Sequence, residues 1–277
     1  MTEATPVLLE HAPPPADGFF AHFGRMVLDT AEETGQFALL VRSTAGWMAS
    51  CKIEWRQTLI QVVRVGVDSL PVTAMTAFFT GMVLALQTGA SSKHFFNEPL
   101  FVGTVVAFSL VMELAPVMTA IVVAGRAGAA IAAELGTMKV TEQIDALYTL
   151  GTDPIRYLVI PRFIAFMITL PLLTVASDFT GIFGGYLVAH AKYQIPATVY
   201  WHDIINNMEI RHFVHGFVKT FVFAAVVSLV SCFKGVTTRG GAEGVGKSTT
   251  SAVVISMVLV LILDYFATAV LNAFGIT

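Results

Sequence analysis

Charge is scarce in this sequence. Only 13% of its 277 residues are Asp, Glu, Lys or Arg, while 55% are hydrophobic and the mean hydropathy is +0.73. Soluble domains carry about 25% charged residues, so an ordinary soluble domain is excluded and lipid is the expected solvent. The net charge is -3 and no basic tract occurs, which removes nucleic acid from the partners. Two cysteines, Cys51 and Cys232, exclude a disulfide framework. No serine, cysteine or carboxylate set suggests covalent or hydrolytic chemistry. His202, His212 and His215 have no cysteine near them and are spread over a loop; they read as structural residues of the interface, not as a metal site. No internal repeat or low-complexity tract is found. Residues 1–18 include Pro13-Pro14-Pro15 and lack the basic start and apolar core of a signal peptide, so they read as a disordered leader.

What is present is apolar periodicity. In residues 19–64, Phe37, Leu40, Val41, Thr44, Trp47, Met48 and Cys51 recur at three- and four-residue steps, with Arg42, Lys52, Glu54 and Arg56 elsewhere. That predicts an amphipathic helix lying in the membrane interface, Trp47 and Trp55 at headgroup depth. Residues 65–277 hold five blocks of spanning length. They run from about Ser69 to Ala90, Leu100 to Gly125, Tyr157 to Ala191, Phe213 to Phe233 and Thr250 to Phe274. Pro161 and Pro171 are expected to bend the third. Tyr193 to Arg211 reads as a polar loop with Tyr200 and Trp201 at the interface.

Lys and Arg are unequally shared between the two sides: twelve fall with the N-terminal stretch and the segments after spans two and four, and four on the other side. By the positive-inside rule the N-terminus is cytoplasmic and the C-terminus periplasmic. The longest polar interruption, Glu134 to Arg162, then faces the cytoplasm. Within it Thr141 is placed to cap a short helix, with Glu142 and Asp145 in its first turn. Val140, Ile144 and Leu147 form one apolar stripe, Gly151 is suited to a left-handed cap, and Asp153-Pro154 stops the helix. Two readings stay open: a helix that docks another protein, or a structured link between spans.

Ionisable groups inside spans are costly and usually face a cavity or each other. Glu113 lies mid-span, three residues before Pro116, whose missing N–H breaks the bond to the Met112 carbonyl. Asp264 is midway along the fifth span. Either they line a lipid-headgroup or gating path, pairing with a cation such as Lys219, or they make a structural contact between spans. Asp178, followed by Gly181, Gly184 and Gly185, reads as close helix packing. Arg126 and Glu134 are candidates for a local pair.

The segment GRAGAAIAAELGTMKVTEQIDALYTLGTDPIRYLVIPR resembles the defining segment of the MlaE (YrbE-type) permeases, membrane subunits of ABC systems that work with MCE-domain lipid-binding proteins. ELAPVMTAIVVAGRAGA, PRFIAFMITLPLLT, GGAEGVGKSTTSAVV and LDYFATAVL are similar to that family in the same order, from roughly Val65 to Phe274. The resemblance does not extend to residues 1–18. It implies an all-α integral membrane fold, homodimeric, with an N-terminal interfacial helix, five transmembrane helices and a short cytoplasmic coupling helix. It makes Lys139, Glu142, Gln143, Asp145 and Leu147 the ATPase-coupling residues, and Gly136, Gly151, Pro154 and Arg162 the framework of that loop. Glu113, Pro116 and Asp264 become candidates for a lipid cavity or gate. The implied partners are a second copy, a cytoplasmic ABC ATPase, a periplasmic MCE-domain protein, a small STAS-domain protein on the ATPase, and phospholipid.

Gly241 to Ser248 satisfies GxxxxGK[ST], but a P-loop needs a strand before it and a sheet around it. Spanning blocks flank it here, and the resemblance implies a cytoplasmic glycine-rich turn between spans four and five. The chain is therefore read as a non-catalytic subunit that binds no cofactor or metal, with ATP and magnesium in a partner. The expected function is that of a permease in a phospholipid transporter of the bacterial inner membrane, maintaining outer-membrane lipid asymmetry. The alternatives are an ATP-independent secondary transporter or channel, and a membrane scaffold for an MCE protein.

Overall fold

A computed structural model describes residues 19–49, 54–96 and 101–275. The leader reading for residues 1–18, and those for Cys51 and Lys52, lie outside the described residues. Among the described residues the chain is helical, with no strand, and it divides into two units, Met1–Arg42 and Ser43–Thr277. Five helical rods are long and apolar enough to cross a membrane. This is an all-α, multi-pass membrane fold.

Most span boundaries move outward from those predicted. The expected single interfacial helix is two: α1 (Phe19–Ala49) and α2 (Trp55–Val65). A 3-10 turn at Val67–Ser69 joins α2 to α3 (Leu70–Phe96), so α2 belongs to the first spanning rod. The second rod is α4 (Val102–Ser109), α5 (Ala115–Val123) and α6 (Ala129–Val140), linked by π-helical turns at Leu110–Leu114 and Ala124–Gly128. It continues to Val140 rather than ending near Gly125. Its 39 residues at about 1.5 Å each nearly double the roughly 30 Å of hydrocarbon, so the rod is longer than a single crossing needs. The short α7 (Gln143–Thr149) follows, and a π turn at Ile155–Val159 opens α8 (Ile160–Tyr193). Pro161 follows that π turn within the continuous rod and has no N–H to give to it, and Pro171 lies farther along inside α8.

Two predicted loops are helices. Residues 197–207 form α9 (Ala197–Asn207), and Tyr200 is buried within the core, its hydroxyl donating to the Ile182 carbonyl at 3.1 Å. The expected interfacial display of Tyr200 is thus corrected; it anchors α9 instead. Asp203 explains the helix: its carboxylate accepts from the Thr104 backbone N–H at 3.0 Å, tying α9 to the first turn of α4. After α10 (Ile210–Val236), the chain turns at residues 237–240, and α11 (Gly241–Ala273) begins nine residues before the predicted Thr250.

The core lies where α3 crosses α8. A Cβ on Gly81 would meet the Gly181 carbonyl oxygen at 1.9 Å, and one on Gly184 the Phe78 oxygen at 2.4 Å. Only glycine lets these backbones meet, as the small-residue stripe of α8 predicted. Val106, Leu110, Ile182 and Ala189 fill the space beside the crossing.

Candidate functional site

Among the described residues, two clusters each bring three ionised side chains together. The first lies within the spans and joins three rods. Lys219 of α10 is completely buried; its Nζ donates to Glu113 Oε2 at 2.5 Å and to Asp264 Oδ1 at 2.9 Å. Thr268, one turn beyond Asp264 on α11, donates its hydroxyl to Glu113 Oε1 at 3.2 Å. The cluster holds one cation and two carboxylates, and the carboxylates keep 39% and 21% of their side-chain surface exposed. The expected pairing with Lys219 is present.

Local sequence builds this geometry. Pro116 has no N–H to give, and the ladder ahead of it widens into the π turn that carries Glu113. Gly216 then lets α10 close on that turn, since a Cβ there would meet the Val111 oxygen at 2.0 Å. Lys219 follows three residues later on α10, within reach of Glu113. His215, fully buried, precedes Lys219 by one turn.

The second cluster lies at the α6 end. Glu134 accepts from Arg64 of α2 at 3.3 Å and from Arg162 of α8 at 2.9 Å. Arg162 is buried and also donates to the Leu158 carbonyl at 2.7 Å. The expected Arg126–Glu134 pair is not formed. Arg126 sits in the second π turn and pins the α2–α3 junction, donating to Ser69 Oγ at 2.8 Å and to the Arg64 and Val65 carbonyls. Arg162, read as loop framework, proves to be an ionic partner deep in that junction.

Beside this cluster the predicted docking helix takes a shape of its own. Thr141 does not cap it: its hydroxyl donates backwards to the Thr137 carbonyl at 2.8 Å, closing α6. Val140 ends α6, so the stripe on α7 reduces to buried Ile144 and half-buried Leu147. Glu142 takes the N-cap position with φ 61°, a left-handed corner rather than a first-turn residue. Lys139, on α6, reaches across that corner to Asp145 at 2.9 Å, and Gln143 donates to Thr141 Oγ1 at 3.0 Å. Gly151 has φ 71° and closes α7 as predicted, with its N–H to the Tyr148 carbonyl and that of Thr152 to Leu147. Pro154 caps the next rod, and Gly136 is buried against Thr238. Tyr148, Leu150 and Glu142 stand exposed at the tip. Trp47 Nε1 donates to Asp153 Oδ2 at 3.0 Å, so this tryptophan braces the link after α7.

The GxxxxGK[ST] stretch is the start of α11, not the turn expected; Lys247 pairs with Glu243 one turn back at 2.7 Å. A helical backbone cannot wrap a phosphate as a P-loop does. His212 closes a capping box with Glu209, and His202 is exposed on α9. Among the described residues no three His, Cys, Asp or Glu side chains converge on a metal site. Asp178 is buried beside the glycine crossing. Sequence reasoning missed Thr268 and gave His215 another role, although each lies four residues from a cluster member and hence on its helix face.

The comparisons with known proteins agree with this architecture. Residues 58–270 match the family described as Permease MlaE. A probable ABC transporter permease protein of Rickettsia typhi is 44% identical over 248 residues, covering 90% of this chain and 95% of the relative. Another, from Synechocystis, is 44% identical over 215 residues, covering 78% and 81%. Protein TRIGALACTOSYLDIACYLGLYCEROL 1, chloroplastic, of Arabidopsis thaliana is also 44% identical over 215 residues, 77% of this chain and 61% of that protein. With five spanning rods and a family match across most of its length, the chain belongs to the MlaE family of ABC transporter permeases.

Proposed function

We propose that this permease moves phospholipid through the inner membrane of a bacterium with an outer envelope, as one half of a homodimer. A separate ATPase drives it, and an MCE-domain protein exchanges lipid with it on the periplasmic side. The observation that carries the reading is the Glu113–Lys219–Asp264 cluster, a charged group built inside the spans from three rods. A lysine with no exposed surface is held there only by its two carboxylates. Those carboxylates are partly open, and a zwitterionic or anionic headgroup is the kind of cargo they can meet or repel. The plant relative's name is that of a galactolipid, which fits lipid cargo.

Support for a second copy comes from α11, which leaves Val254, Val258, Leu261, Ile262, Tyr265 and Phe266 exposed beside the cluster. In this reading the two copies face each other near that helix, and lipid occupies the space between them. In this reading α7 is cytoplasmic, which the excess of Lys and Arg on its side supports, and closure of the ATPases would push its exposed tip. No nucleotide binds to this chain; ATP and magnesium belong to the partner.

The test is purification of the chain from native membranes in mild detergent, with proteins and lipids identified by mass spectrometry. A dimer with a soluble ATPase, an MCE-domain protein and bound phospholipid is expected. A lone homo-oligomer that carries flux down an ion gradient would instead support a secondary transporter with the cluster as its ion site. For the docking tip, Glu142→Lys with Asp145→Lys is expected to abolish ATPase association while the dimer stays folded. Normal association in that variant contradicts the assignment.

A further inference from the structure

The Glu134 cluster borders a groove that the transport reading does not use. It encloses about 240 Å³ between α2, α6 and α8, and its lining includes Gln57, Gln61, Arg64, Glu134, Tyr157 and Arg162. Two guanidinium groups face one carboxylate, leaving one positive charge in surplus. Arg64 is 58% exposed in its side chain and free to turn, whereas Arg162 is 5% exposed and fixed. The Nε of Arg162 is buried with no hydrogen-bond partner. Tyr157 accepts from Gln57 at 3.2 Å, so its own O–H is left to donate. Surplus positive charge, a planar guanidinium fork and further N–H and O–H donors are the recognition chemistry of a phosphate oxyanion.

The setting favours a phosphate that belongs to a lipid. On α2 and the turn after it, Trp55, Leu59, Val63 and Val67 recur at four-residue steps and are each more than half exposed. That stripe is apolar and runs on into α3, so α2, the opening part of the first spanning rod, turns one face toward lipid. The groove opens on another face of the same helix, lined by Gln57, Gln61 and Arg64.

We infer that this groove binds the phosphate of one membrane phospholipid per chain, held by Arg64 and Arg162, separately from the mid-span cluster. Arg64 exchanges Glu134 for the phosphate, and Glu134 keeps its bond to Arg162. A lipid so held would brace α2 against α6 and α8.

The experiment uses the full chain in nanodiscs with a phosphatidylglycerol analogue carrying a diazirine on its headgroup, and labelled peptides are mapped by mass spectrometry. Labelling is expected at the peptides containing Gln57 and Met138, and not with a diacylglycerol analogue that lacks the phosphate. Arg64→Gln, at an exposed position, is expected to weaken labelling about tenfold, and Tyr157→Phe about threefold. Persistence of the label in Glu113→Gln separates this groove from the mid-span cluster, whose role that variant tests by itself. Undiminished labelling in Arg64→Gln, equal labelling by the diacylglycerol analogue, or loss of the label in Glu113→Gln would each overturn the assignment. Displacement by millimolar inorganic phosphate would also overturn it, reassigning the groove to a soluble anion.

Discussion

The two ionic clusters are near mirror images in charge. In the span a lysine lies between two carboxylates; at the α6 end a carboxylate lies between two arginines. Their central groups differ in solvation: Lys219 has no exposed side-chain surface, whereas Glu134 keeps 41%. Burial raises both the cost of a charge and the strength of its pairing, so the same three-membered motif does different work in each place. In the span, removing the partners leaves a charge that water cannot reach. At the α6 end, water can replace a lost partner for Glu134 and Arg64, and Arg162 alone depends on the cluster. One cluster is therefore a constraint that transport can act on, and the other a clamp that joins α2 to α6 and α8.

The comparison is broken most strongly by stripping Lys219 of both carboxylates. Glu113→Gln with Asp264→Asn is expected to lower stability by about 3–5 kcal/mol, read as an early thermal melt in detergent. Adding Lys219→Met should restore most of the loss, because no charge is then left buried. Next in size is Gly216→Ala. Its Cβ would strike the Val111 carbonyl, and the expected cost is about 1–3 kcal/mol by the same melt, with α10 displaced from the Glu113 turn. Glu134→Gln removes the centre of the other cluster and should cost about 1–2 kcal/mol, less than the double variant because Leu158 still holds Arg162. Arg64→Ala should cost under about 1 kcal/mol, as for exposed pairs in general. If Arg64→Ala destabilised the chain as much as the mid-span double variant, the contrast in solvation would not explain the two clusters.

The five spans could be read from the sequence because hydropathy needs no knowledge of neighbours. The glycine crossing of α8 was likewise visible in spacing, and Gly151 announced its own conformation. What failed were statements about where helices stop and which polar groups meet. The second span was expected to end near Gly125 and Glu134 to Arg162 to be a polar interruption holding one short helix, yet α6 continues the rod unbroken to Val140. The same polarity hid α9, and the glycines at 241, 244 and 246 hid the start of α11. Arg126 and Glu134, near in sequence, each found partners on other rods, where the rotation of one rod against another decides contact. The π turns under Glu113 and Arg126 add to the difficulty, since each shifts the face presented by all that follows. The pairing of Glu113 with Lys219 was legible only because a carboxylate in a span must seek a cation, and few cations lie within the spans.

The most direct test of the central claim is ATP-driven phospholipid transfer in proteoliposomes, using the chain with its ATPase and MCE-domain partners. The variant to compare with wild type is Glu113→Gln, Lys219→Met and Asp264→Asn together, checked first for a normal melt and normal ATPase association. The account predicts a folded, assembled complex whose transfer falls at least about tenfold, equivalent to about 1.4 kcal/mol in the barrier. Transfer at the wild-type rate would contradict it and reduce the cluster to a structural contact between helices.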